Sequence, residues 1–236
     1  GNITISGRRH VTFDGTGNVI VGAAAGTIFV EAVDGTIDQL STLTLQTDGA
    51  NIILAAKVDV KLGVVDARRN SDRTVGPLTL QSDGTTPWGD VGVTAVTGSI
   101  LDNKARDGTA RNVWARKLRL EAKTNIGLVD LTVALPLLDN AVETEVAVVA
   151  AKTTTGGAGT GINLLEATVL AVDTVASFSV NRVVADASVT TSTSATVATL
   201  SDVVSAGNGN LIIQTTAGTL TLNDGTAPDD YTAVSA

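Results

Sequence analysis

Ser41-Thr-Leu-Thr-Leu-Gln-Thr-Asp-Gly49 is the stretch that decides how this chain is read. Near copies follow at Gly76-Pro-Leu-Thr-Leu-Gln-Ser-Asp-Gly84 and Gly218-Thr-Leu-Thr-Leu-Asn-Asp-Gly225. Alternation at period two sends both leucines to one face of a strand and the threonine to the other. Asp-Gly then closes the strand with a tight turn, because glycine accepts positive φ and aspartate hydrogen-bonds locally. A strand plus a turn, repeated, is the unit of a stacked β architecture. The expectation is therefore an all-β fold, a parallel β-helix.

The pattern extends outward from these phrases. Short β-like runs such as Asn2-Ile-Thr-Ile5 and Thr27-Ile-Phe-Val30 lie between turn markers at Gly7, Asp14-Gly15, Gly22, Gly26 and Asp34-Gly35. In Ala56-Lys-Val-Asp-Val-Lys-Leu62 and Leu118-Arg-Leu-Glu-Ala-Lys123 the apolar residues alternate with mixed charges. Such charges suppress edge-to-edge pairing. From Leu43 to Leu78 the step is 35 residues, read as two rungs. Rungs of about 18–24 residues give roughly ten to thirteen degenerate rungs in one segment, residues 1–236. Polar interruptions at 102–111 and 152–161 are expected as loops, the second flexible. Thr190–Thr199 is expected as an exposed strand or a linker. Leu131–Ala151 is the best helical candidate, but Pro136 interrupts it and its end alternates like a strand.

Composition narrows the function. Thr (35) and Val (31) together make 28% of a chain with only 3% aromatics, which suits a narrow core of stacked aliphatics. A net charge of −8 argues against nucleic acid as a partner, which would need basic patches, and against adsorption to anionic membranes. No apolar run is long enough for membrane insertion. With no Cys there are no disulfides or thiolate metal sites. The absence of Met, even at position 1, suggests a processed or excerpted piece of a longer rod.

The order Gly98-Ser-Ile100, Asn112-Val-Trp-Ala115, Leu118-Arg-Leu-Glu-Ala122, Asn125-Ile-Gly127 resembles the repeats of filamentous-haemagglutinin-like exoproteins and giant bacterial adhesins. Ala50-Asn-Ile-Ile-Leu-Ala-Ala56 and Gly209-Asn-Leu-Ile-Ile213 look like the same asparagine-led strand. The resemblance implies a right-handed winding and a secreted or bacterial cell-surface stalk, used for adhesion or matrix building. It carries over no catalytic residues. The expected partners are further rungs or further copies end to end, with surface or matrix polysaccharide as a possible contact. The alternatives are a carbohydrate-active β-helix enzyme and a sheath subunit polymerising end to end.

Individual residues give weak site signals. His10, the single histidine, has no nucleophile elbow beside it. Six Asp-Gly pairs, at Asp14, Asp34, Asp48, Asp83, Asp107 and Asp224, read as turns rather than calcium ligands. Asp229 and Asp230 form the one adjacent acidic pair and are the only metal candidates; no cofactor is expected. Gly156–Gly161 lacks the Gly-Lys-Ser/Thr ending of a phosphate loop. Trp88 and Trp114 could stack on sugars if exposed. Asn2-Ile-Thr4 is a lone glycosylation sequon.

Overall fold

The computed structural model describes residues 1–15, 17–73, 88–104, 110–128, 140–184, 193–225 and 232–236. These are all-β, with no α-helix among them and one short 3-10 turn at Asn70–Arg73. Almost every strand pairs in parallel with the strand one circuit later, in three columns, and a β-solenoid fits this pattern. On the first face, Ile3 stacks on Ile28, Ile28 on Ile52, Ile52 on Val91, Val91 on Leu118 and Leu118 on Val149. On the second, Val11, Ile37, Val60, Ile100, Ile126 and Ile162 succeed one another. On the third the succession is Val19, Leu45, Val65, Val113 and Thr144. Two strands turn a corner: Val113–Ala122 and Val142–Thr153 each supply the third face and then the first. The helical candidate 131–151 is therefore strand from Val142 onward, and 129–139 lie outside the described residues.

Alternation explains the core. Within a first-face strand, residues one, three and five point inward, so Ile28, Val30 and Ala32 stack under Ile52, Leu54 and Ala56, all essentially buried. β-branched and leucine side chains stacked in line fill a narrow interior without aromatic rings. The step from coil to coil varies with the corner, 20 residues from Leu45 to Val65, 24 from Ile28 to Ile52 and 26 from Val11 to Ile37, always longer than half of the 35-residue leucine spacing. The founding phrase also proves not to stack on itself. Thr44–Gln46 belongs to the third face, with Leu45 between Val19 and Val65. Leu220–Leu222 belongs to the first face, on Leu170–Val172, and the middle copy lies outside the described residues. After Thr153 the Gly/Thr tract leaves the strand, its first two amides, Thr154 and Thr155, donating to Ala122 O and Lys123 O one coil below.

Between coils runs a second set of bonds from side chain to backbone. The Asn2 side-chain oxygen accepts the Thr27 N–H at 3.0 Å, and Asn51 accepts the Asp90 N–H at 2.8 Å. Asn18 does the same for Thr44, Asp59 for Ser99, and Asn125 for Gly161. Each corner residue thus holds the backbone stacked on it, which is why asparagine precedes so many strands. Asn112 is the most connected. Fully buried, it accepts the Glu143 N–H at 2.9 Å and donates to Leu62 O, Gly63 O and Asp102 Oδ1.

One element breaks the circuit. Leu170–Val172 and Val203–Ser205 both lie on the strand Val142–Thr153, and the chain between them leaves the solenoid as an antiparallel ribbon, Phe178–Arg182 with Thr193–Val197. The ribbon lies across the outside of the first face. It covers the outward row Thr4, Phe29, Ile53, Gly92 and Arg119, whose members are successive coil-to-coil partners. Phe29, Ile53, Val180 and Val197 form a small apolar cluster of their own. Gly92 makes room: a Cβ there would come within 3.0 Å of Val197 and 3.2 Å of Phe178. Asn181 and Val183 amides donate to the Thr27 and Thr4 hydroxyls, Arg182 pairs with Glu31 at 2.7 Å, and Arg119 Nε donates to Ala198 O.

Replacing Asn112 by alanine takes the acceptor from the buried Glu143 N–H and a donor from Leu62 O, Gly63 O and Asp102 Oδ1, of which Leu62 O and Asp102 Oδ1 keep the Asn103 and Lys104 amides. The expected loss is about 3 kcal/mol or more of unfolding free energy in urea denaturation, against about 1 kcal/mol for Asn18→Ala at an exposed corner.

Candidate functional site

The outward side of the third face carries the densest polar constellation. Its ladder reads Gln46, Asp66, Trp114, Glu145 in successive coils. Asp66 is buried and accepts Arg68 Nε at 3.0 Å, Arg68 NH2 at 2.7 Å and Arg73 Nε at 2.9 Å. Burial pushes the Asp66 carboxyl up, but the hydrogen bonds from the two guanidinium groups outweigh it and hold the carboxyl below its ordinary range. Arg73 also donates to Thr47 O and Arg68 O, tying the 3-10 turn to the coil. The Arg68 guanidinium lies 3.7 Å from the centre of the Trp114 ring, a cation–π contact. Trp114 is half-buried, and one face of its ring is taken by Arg68.

Trp88, a sugar-stacking candidate only if exposed, is 2% accessible, and its indole N–H donates to Asp72 Oδ2 at 2.8 Å. Its ring is part of the packing rather than a surface contact. His10 is exposed and its Nδ1 accepts the Thr36 N–H at 3.2 Å, the same corner role that asparagine plays elsewhere. An open groove of about 350 Å³ runs past it, lined by Thr12, Thr36, Asp38, Asp59 and Lys61. Both carboxylates there are engaged, Asp38 with Lys61 at 2.7 Å and Asp59 with the Ser99 amide. Of the Asp-Gly pairs, Asp48 accepts the Asn70 N–H, and Gly49 has φ of 77°, as a turn requires. Asp83, Asp107, Asp229 and Asp230 lie outside the described residues. Among the described residues no group of three His, Asp or Glu is placed to hold a metal. No helix among them is long and apolar enough to cross a membrane.

Sequence reading missed Glu166, which faces the core. In Gly161–Glu166 the alternation that buries Ile162 and Leu164 also carries Glu166 inward, on Thr144 of the coil below. Glu166 Oε2 accepts the Thr144 hydroxyl at 2.7 Å and the Val146 amide at 3.0 Å, and Oε1 accepts the Thr168 amide at 3.2 Å. The Thr168 hydroxyl donates to Glu145 Oε1 at 2.9 Å. Burial pushes the Glu166 carboxyl up to about 8, against the pull of these donors and helped by neighbouring Glu145. Burial raises Glu145 as well. At neutral pH Glu166 is a neutral acid inside the solenoid, and the pair is a buried structural element rather than an accessible acid and base.

No protein-family model, curated protein or solved structure matches this chain.

Because the unfolded Glu166 ionises near 4.5 and the folded one near 8, its contribution is fully present at low pH. It is lost as pH rises between those values. Glu166→Gln should flatten most of that decline and unfold later than wild type at pH 8, with a gap on the order of 4 kcal/mol. Urea titrations at pH 5 and pH 8 check this: equal pH slopes in both proteins would contradict it.

Proposed function

We propose that this chain is a non-enzymatic structural segment of a secreted or surface-attached bacterial fibre, serving as a stiff stalk in adhesion or matrix cohesion. The observation that carries the reading is the coil-to-coil bonding. Backbone ladders in three columns, doubled by corner side chains, join each coil to the next along one direction. A rod so joined resists extension along its axis, and its polar side chains repeat at regular intervals on the outside. A right-handed winding, taken from the resemblance to filamentous-haemagglutinin-like repeats, belongs to the same proposal. Partners would be further coils or further copies, with polysaccharide contacts made by polar faces rather than by Trp88.

The rival reading, a carbohydrate-active enzyme, has less support. The groove beside His10 is open, and its acids are bound to Lys61 and to a backbone amide. Electron microscopy and intact mass of the native material test the proposal. Filaments containing this sequence are expected. A compact, monodisperse particle of about the 23.8 kDa of this chain would contradict it, as would release of reducing sugar from a polysaccharide panel.

A further inference from the structure

The corner between the first and second faces carries a row of its own. The residue after each first-face strand stacks on its counterpart one coil below, giving Arg8, Val33, Lys57, Val96, Lys123 and Thr154 in succession. The backbone ladder continues through the row: the Val33 amide donates to Gly7 O, Lys57 to Ala32 O, Val96 to Ala56 O and Lys123 to Ala95 O. Every member is exposed. Cations therefore stand on the first, third and fifth coils with an uncharged side chain between them, about 9.6 Å apart at twice the strand spacing.

Packing fixes this alternation. On those three coils the corner has three residues, Arg8-Arg9-His10, Lys57-Val58-Asp59 and Lys123-Thr124-Asn125. The last residue of each holds an amide of the coil above, at Thr36, Ser99 and Gly161. The corners between them are one residue longer, with glycine in third place: Val33-Asp34-Gly35-Thr36 and Val96-Thr97-Gly98-Ser99. A Cβ at Gly35 would lie 1.8 Å from Arg9 O, and one at Gly98 would lie 2.2 Å from Asp59 Oδ1. Short and long corners thus interlock, and the backbone spacing of the cations is set.

These cations are also unengaged. Lys61, Arg68, Arg73, Arg116, Arg119 and Arg182 each pair with a carboxylate. Lys57, Lys123 and Arg9 form no ion pair among the described residues, and Arg8 reaches Asp34 only at 3.7 Å in open solvent. Cations left over are unexpected in a chain with 24 acidic residues against 16 basic ones. Beside the row lies the open groove of about 350 Å³ that passes His10. It takes the same two positions from three successive coils, His10, Thr36 and Asp59, then Thr12, Asp38 and Lys61, so it runs parallel to the cations. Its hydroxyl and carboxylate oxygens suit a ligand rich in hydroxyl groups.

We propose that this corner and groove bind a linear acidic polysaccharide, extended along the rod and carrying one carboxylate per disaccharide. The carboxylates meet Arg8, Lys57 and Lys123, the rings cover Val33 and Val96, and the hydroxyl edges face the groove. The two-coil spacing is close to the rise of one extended disaccharide, so successive sugars stay in step. An acidic peptide repeats on one face at about 6.6 Å and drifts out of step. Nucleic acids and other densely charged polymers meet the field of a chain whose net charge is −8. Each contact at an exposed cation is weak, and affinity comes from meeting several at once. The site rests on the polysaccharide contact in the stalk reading, not on its filaments.

The probe is a hyaluronan hexasaccharide, with a uronate on alternate rings, end-labelled with a neutral fluorophore and titrated with the folded protein by anisotropy. Saturable binding is expected, weakened at least about tenfold by methyl-esterifying the carboxylates or by raising salt from about 50 to about 500 mM. The double variant Lys57→Gln/Lys123→Gln should weaken binding at least about tenfold with an unchanged thermal melt. Arg69→Gln, which removes an exposed cation beside the third face, should leave binding within about twofold. A hexagalacturonate, charged on every ring, should bind no more tightly than the probe. No saturable binding up to about 1 mM would overturn the proposal. So would equal binding of the ester, an equal loss in Arg69→Gln, or tighter binding of the galacturonate. If the double variant does not fold, the ester and the galacturonate decide alone. Filaments of a chain that does not bind would leave the stalk reading standing, and binding by a compact monomer would leave the site standing without the stalk.

Discussion

Everything in this molecule depends on the register of one coil upon the next. A parallel strand pair alone permits a slip, and a slip of one residue would turn every buried isoleucine and leucine out to solvent. The corners remove that freedom. When Asn2 accepts the Thr27 amide, or Asn51 the Asp90 amide, the coil above is fixed to within a hydrogen-bond length before its strand begins. Aliphatic stacking then follows from the lock. Each such bond is worth only about 1 kcal/mol. Repeated at corner after corner, and joined by the fourfold-bonded Asn112, they select a single alignment from many near-equal ones.

The lock also explains how a chain with long interruptions keeps its order. Ile52 and Val91 are adjacent in space although 39 residues apart in sequence, yet Asn51 and Asp90 meet at the same corner as Asn2 and Thr27. The ribbon between Val172 and Val203 is a larger excursion, and the solenoid resumes on Ala151 as if it had not occurred. Having left, the ribbon returns along the axis and touches the coils at Thr4, Thr27, Asn51 and Arg119. It is bound by contacts that run along the rod, so its docking requires several coils to be in register already.

Much of the coil was legible in the sequence, because alternation and asparagine placement are local signals. Asn51-Ile-Ile-Leu54 announced a strand and its corner together. What the pattern misplaced was the repeated phrase itself. The repeated Leu-Thr-Leu phrase sits on the third face in one copy and on the first in another, since any aliphatic strand followed by a turn converges on it. The ribbon was half visible. Ile28-Phe-Val30 and Ile52-Ile-Leu54 are apolar on both faces, the mark of a strand covered on both sides. What covered them was a distant Thr/Ser-rich stretch with no distinguishing local pattern. Glu166 could have been placed inward by counting from Ile162, but a charge in a core position reads as an exception until its donors, Thr144 and Val146 of the coil below, are in view.

The register itself can be tested directly, because the chain has no cysteine of its own. Lys61 and Leu101 are coil-to-coil partners on the outward side of the second face, on opposite sides of residues 74–87. Neighbouring parallel strands bring such Cα atoms about 4.8 Å apart, inside the range a disulfide spans. The double variant Lys61→Cys/Leu101→Cys should oxidise quickly and completely to an intramolecular disulfide, whereas Lys61→Cys/Glu121→Cys, on different faces, should stay reduced. A failure of the first pair to close, or closure of the second at a similar rate, would contradict the stacked register on which this description of the protein rests.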